Sequence, residues 1–128
     1  MQNSVENARE IYLLSGNAGR YELRVNREEL PNFINKQVRF VGKVVLIEGE
    51  VAVLEAPDGG TVRCKTMSPP PSTYVEVIAQ VMPDLSLTQT DFMFDLGSSL
   101  NMDLVNESIK LSFHPKLRQH WEPVSSSN

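Results

Sequence analysis

Few residues in this chain are of types that do chemistry, and their spacing excludes most of what those types can do. Cys64 is the single cysteine among 128 residues. It can form no intramolecular disulfide, and no cysteine-based metal site can be built around it. His114 and His120 stand near the end of the sequence without a carboxylate or thiol at ligand spacing, so a surface or interface role outweighs a metal. Asp91 and Asp95 flank the expected end of a strand, where carboxylates commonly stay solvated. Gly59-Gly60 is followed by Thr61-Val62; with no Lys-Ser/Thr after it and no helix beginning there, it is not a phosphate loop. The sequence also lacks a nucleophile elbow, a metal-binding histidine pair and a dinucleotide fingerprint. The expectation is a protein that is not an enzyme and has no cofactor or metal.

Cations offer the other chemistry. Lys36, Arg39, Lys43, Arg63 and Lys65 precede or occupy outward positions on two expected strands and are candidate contacts for DNA phosphates. Against them stands a net charge of −4, since proteins that wrap nucleic acid usually present a basic surface. Single-strand binding also gains about 1–3 kcal/mol per base from aromatic stacking. The strands around Arg63 carry no aromatic residue, and Phe40 points inward by parity. Tyr74 and Phe92 are the nearest aromatics, and each suits a core or an interface equally well. A solvated basic face is therefore the stronger reading, and any nucleic-acid role must rest on a local patch or on partners.

The elements that position these residues follow from periodicity. Hydrophobic residues make up 41% and charged residues 22% of the chain, as in an ordinary globular domain. No apolar run approaches the roughly 20 residues of a membrane span, so no membrane association is expected. The N-terminus carries acids and lacks the apolar segment of a signal peptide, and the chain is expected inside the cell. The Asn106-Glu107-Ser108 sequon is then a coincidence. Ser4 can cap a short helix over 5–14, which the run 15–19 breaks; residues 1–22 read as an N-terminal extension. Asn26 and Glu29 resemble a capping box, but Pro31 limits the helix to a single turn carrying Leu30, Phe33 and Ile34.

From Gln37 the period becomes two. Val38, Phe40, Gly42, Val44 and Leu46 are expected on one face, with Arg39, Val41, Lys43, Val45 and Ile47 on the other. Gly42 suits the bend of a long strand shared by two sheets. Gly49-Glu50 turns the chain into a strand over 51–56, and the turn 57–60 leads to another over 61–66 with Val62 and Cys64 inward. The segment 67–72 holds three consecutive prolines and forms a stiff crossover. Strands over 74–82 and 85–94 complete the set, with a bulge or strand end near Asp91. Five strands, short turns, one crossover and a terminal helix describe a small barrel of the oligonucleotide/oligosaccharide-binding (OB) type spanning 23–97. An SH3-like barrel is the runner-up.

Residues 95–115 read as one amphipathic helix stopped by Pro115; beyond the barrel, 98–115 is the C-terminal oligomerisation helix and 116–128 a tail. On a helical wheel Leu111, Leu104, Ser108, Ser112, Val105, Ile109, Met102 and Phe113 occupy one arc of roughly 200°. A helix lying on a single core needs a stripe of only about 100°, so this helix is expected to serve a second surface. The interface set is Met102, Leu104, Val105, Ser108, Ile109, Leu111 and Ser112, with the two serines allowing close approach of another backbone.

Three stretches, in order, resemble the smallest subunit of replication protein A, the replication factor A protein 3 family. They are Phe33-Ile34-Asn35-Lys36-Gln37-Val38-Arg39-Phe40-Val41-Gly42-Lys43, then Val75-Glu76-Val77, then Phe94-Asp95-Leu96-Gly97 followed by Leu104-Val105-Asn106-Glu107-Ser108-Ile109-Lys110-Leu111. Together they cover about 24–115. The N-terminal extension and the added Ser98-Ser99 depart from the family pattern. The resemblance implies an OB barrel whose C-terminal helix joins one helix from each of the large and middle subunits in a three-helix bundle. It also implies a nuclear, heterotrimeric, non-catalytic role in DNA replication, repair and recombination, with single-stranded DNA bound mainly through those subunits. The smallest subunit of a CST-type telomere-capping complex and a stand-alone single-strand-binding barrel are the alternatives.

Overall fold

The longest strand is apolar on both faces, and the architecture satisfies both by closing a barrel on one side and laying a helix on the other. A computed structural model describes residues 22–113. Its elements are β1 Leu23–Val25, a 3-10 turn Leu30–Phe33, β2 Gln37–Glu48, β3 Val51–Glu55, β4 Thr61–Lys65, β5 Tyr74–Val81, β6 Leu87–Asp95 and α1 Met102–Ser112. β2 pairs antiparallel with both β3 and β5, β3 with β4, and β5 with β6. A short parallel contact, Cys64↔Leu87 and Lys65↔Thr88, joins β4 to β6 and closes the barrel. This is the OB barrel with a C-terminal helix that the alternation predicts. β1, parallel to β2, is an addition; three residues are too few to register as a period.

The barrel interior is filled by Val38, Phe40, Leu54, Val62, Cys64 and Val77, among others, all buried. Gly42 faces this interior, and a Cβ there would lie 2.8 Å from Leu54 Cβ, so the sheet can close on itself only around a glycine. Two features of β2 differ from strict alternation. The ladder skips Val45, running from Val44↔Leu54 to Leu46↔Val53. That bulge turns Leu46 outward, where it is half exposed, rather than onto the face of Val38 and Phe40. Beyond the bulge the hairpin tip projects past the core, so Ile47 is exposed as well.

The terminal helix is shorter than its apolar pattern. Asp95 still pairs with Val75 in β6, and its Oδ1 accepts the Gly97 N–H at 2.8 Å. Gly97 then takes a left-handed φ of 88°, which suits a residue without Cβ. Leu96 and Leu100 are buried against the helix, which explains their apolar character without helical geometry. The helix starts where Asn101 Oδ1 accepts the Leu104 N–H at 3.0 Å, an N-cap that satisfies one of its first amides. Expectations for the N-terminal extension before Glu22, and for His114, Pro115, His120 and the tail, lie outside the described residues.

Candidate functional site

α1 carries two different apolar surfaces, divided along its length. Val105 and Ile109 are buried in a cluster with Val41, Leu96 and Leu100, and Met102 and Phe113 pack at its margin. Phe113 also meets Phe33 of the 3-10 turn edge to face, at 6.0 Å between centroids. On the flank toward β1, Asn26 Nδ2 donates to Asn106 Oδ1 at 2.9 Å and fixes the helix's rotation. Met102, Val105 and Ile109, expected in a subunit interface, thus form the contact between α1 and its own barrel. The other half of the arc stays open. Leu104 and Ser108 are half-buried, Ser112 is exposed and Leu111 is 54% exposed. A helical wheel cannot divide the arc, because the division depends on where Val41 and Leu96 lie beneath the helix.

Beside the helix, on the outer face of β1, β2 and β5, lies a buried ionic cluster. Arg24 Nε donates to Glu76 Oε2 at 2.6 Å, and Arg39 Nη2 donates to Glu76 Oε1 at 3.0 Å. The Arg39 guanidinium also stands 5.5 Å from the centre of the Phe94 ring, a cation–π distance. Parity makes Arg39 a candidate DNA contact because it points out of the barrel. It does point outward, but this face is covered: Arg39 and Glu76 are each 0% exposed, and the cation is committed to a carboxylate. The signal that could locate this cluster is Glu76 itself, an acid inside the apolar run 75–81 of a strand paired with β2.

The remaining cations do not converge. Lys36 is exposed before β2, Lys43 is half-buried, and Arg63 and Lys65 stand exposed on β4. Arg63 Nη1 lies 3.6 Å from Glu48 Oε1, with both side chains more than half exposed, a pairing that solvent leaves weak. The outward neighbours on β3 are Val51 and Val53, opposite Lys65 and Arg63. A groove of about 480 Å³ opens between the 3-10 turn, β4 and the β5–β6 turn, and its walls include Arg27, Arg63, Glu28 and Asp84. Two cations and two anions give it no preference for a polyanion. Ser86 donates side-chain and backbone hydrogen bonds to Asp84, holding that carboxyl below its usual range and therefore ionised. Burial pushes the Cys64 thiol up to about 12, so it is a packing residue and not a nucleophile. Among the described residues no group of histidine, cysteine and carboxylate side chains could hold a metal ion.

The profile of the family described as Replication factor A protein 3 matches residues 19–116, a span that includes the whole barrel and α1. No curated protein matches the sequence. Among solved structures the chain is similar to one in U. maydis replication protein A bound to single-stranded DNA, at 20% identity and a TM-score of 0.71, covering 80% of this chain and 96% of that one. It is also similar to a chain of the S. pombe Stn1–Ten1 complex, at 12% identity and a TM-score of 0.59, covering 81% and 97%. The S. pombe telomere capping protein Ten1 follows at 13% and 0.50, covering 78% and 93%. At these identities the likenesses establish the shared barrel and helix.

Proposed function

The chain belongs to the Replication factor A protein 3 family, and from that premise we propose that it is the smallest, non-catalytic subunit of a nuclear replication protein A complex. In that complex the open half of α1 packs against one helix from each of the large and middle subunits. The chain supports replication, repair and recombination by holding together a trimer that binds single-stranded DNA mainly through the other two subunits. The observation that carries this role is the divided arc: Val105 and Ile109 already serve the barrel, yet Leu104, Ser108 and Leu111 continue the apolar surface around the helix. A helix used only to cap its own domain needs no second apolar half. The barrel's cations support an indirect role in DNA binding, since Arg39 is committed to Glu76 and neither β3 nor β4 carries an aromatic residue beside Arg63 and Lys65.

Co-expression of the full chain with the large and middle subunits tests the role. The Leu104→Asp variant is expected to fold, because Leu104 is not part of the buried cluster, and to drop out of the trimer, because docking would bury an unpaired carboxylate. Assembly of Leu104→Asp at wild-type yield would sink the proposal. The likeness to the S. pombe Stn1–Ten1 chain supports a second reading, the smallest subunit of a CST-type complex. Purification on the tagged chain separates the two: recovery of an Stn1-like partner in place of the replication protein A subunits establishes the second. A purified chain that binds single-stranded DNA unaided at physiological salt establishes instead a stand-alone binding barrel.

A further inference from the structure

One aromatic side chain is built into an exposed position that neither the barrel nor the helix explains. Phe92 lies on β6 and is 61% exposed. The β5–β6 ladder runs from Val77↔Met93 directly to Ala79↔Gln89, so residues 90–92 stand opposite Ile78 alone. This bulge is pinned. Gln89 Nε2 donates to the Asp91 carbonyl at 2.7 Å, the Phe92 N–H to Asp91 Oδ1 at 2.8 Å, and Thr90 Oγ1 to the Ile78 carbonyl at 3.4 Å. Phe92 shares the outward face of Phe94 by plain alternation, since Met93 between them packs on the barrel interior, and the two rings meet edge to face with 5.0 Å between centroids.

Phe94 connects Phe92 to the helix. It packs against the cluster that holds Val105 and Ile109, so the apolar surface is continuous from beneath α1 through Phe94 to Phe92. The orientation of α1 puts its open half on the same side. Across this face the strands lie in the order β1, β2, β5, β6. Asn106 is tied to Asn26, at the end of β1. Leu104 and Ser108 lie on the opposite flank of the helix from Asn106, toward β6.

We propose that Phe92 and the open flank of α1 form the two walls of one docking trough, and that its occupant is an amphipathic helix of a partner subunit. This inference rests on the trimer role proposed above and adds a barrel strand to an interface otherwise confined to the helix. Continuity with the open half of α1 selects a protein helix, which reads a pair of apolar walls as successive anchors. Carboxylates Asp103 and Glu107 border the helix side of the trough, Glu107 lying 3.5 Å from Lys110, and they favour an occupant with basic flanking residues. Nucleic acid is disfavoured on the same ground, because the arginines of this face are buried against Glu76.

The test places a benzophenone-bearing side chain at position 92 of the full chain, co-expressed with the large and middle subunits, and irradiates the complex with and without a thymidine oligonucleotide. A crosslink to one of the two subunits, unchanged by the oligonucleotide, is the expected result. A crosslink to the oligonucleotide in place of a subunit overturns the inference. In parallel, Phe92→Ala is expected to weaken assembly at least about tenfold while the isolated chain's thermal unfolding stays unchanged. Leu46→Ala, a similarly exposed apolar residue near the tip of the β2–β3 hairpin, is expected to leave assembly unaltered. If Leu104→Asp abolishes assembly and Phe92→Ala has no effect, the trough is wrong and the helix interface stands. If Leu104→Asp also assembles normally, both fail.

Discussion

β2 and β4 each carry an arginine pointing away from the barrel interior, and the two side chains end in opposite surroundings. Arg39 is fully buried, 3.0 Å from Glu76 and over the Phe94 ring. Arg63 is 61% exposed and reaches only an exposed Glu48 at 3.6 Å. Their local sequences alternate alike, as Val-Arg-Phe-Val and Val-Arg-Cys-Lys. What differs is the strand on which each lies relative to the terminal helix. Val105 and Ile109 close over Val41, two residues from Arg39, whereas no described element lies over Val51, Val53, Arg63 and Lys65. An outward-pointing cation in this fold is therefore a structural or a surface group according to topology, and its charge alone does not mark it as a DNA contact.

The largest effect should come from the covered side. Glu76→Gln removes the carboxylate shared by Arg24 and Arg39, leaving two guanidiniums in a site that water does not reach. Breaking a buried ion pair from one side costs about 3–5 kcal/mol, and the urea midpoint of the full chain should fall accordingly. A change below about 1 kcal/mol, the scale of exposed pairs, would show that the two arginine environments differ less than their burial implies.

What is legible in the residues divides along the same line. Strand alternation, the turn glycines and the proline crossover specify the barrel, because each reports a local backbone or face preference. Parity tells which residues leave the interior, and Phe40, Val62 and Cys64 are inside as expected. Parity does not tell what lies on the outer face, so Arg39 reads as a DNA candidate and Val105 and Ile109 as interface residues. The first depends on Glu76 of β5 and Phe94 of β6 lying beside Arg39, the second on a contact between α1 and β2, elements separated in sequence by four further strands. The start of the helix is misplaced for a related reason: Leu96 and Leu100 are apolar because they pack under α1, and not because they belong to it. The bulge near Asp91 is visible as a slip in alternation, yet only the packing of Met93 and Phe94 shows which face Phe92 takes.

The two halves of α1 give the next contrast. Ile109→Ala should destabilise the chain itself by about 2–4 kcal/mol, since it empties a buried site beside Val41 and Leu100. Leu111→Ala should shift the chain's unfolding by no more than about 0.5 kcal/mol and act instead on assembly with the larger subunits. Denaturant unfolding of each isolated variant, set beside its yield in co-expression, reads both quantities. Equal destabilisation by the two substitutions would mean that the helix serves a single surface.

The smallest effect belongs to the open side of the barrel. Arg63→Ala removes a solvated ion pair and no buried packing, so the chain's stability should change by less than about 1 kcal/mol. If the face is only a solvated one, the assembled complex should also keep its affinity for single-stranded DNA to within about twofold, with the same dependence on salt. Each phosphate of a single strand that the variant ceases to neutralise lowers the slope of log affinity against log salt by about 0.7. A titration of the Arg63→Ala complex at several salt concentrations therefore separates the cases even when the affinity change is modest. A reduced slope would place the DNA strand along β4 and make the uncovered arginine the functional one of the pair; an unchanged slope would leave the chain's contribution to DNA binding with the assembly role proposed for α1.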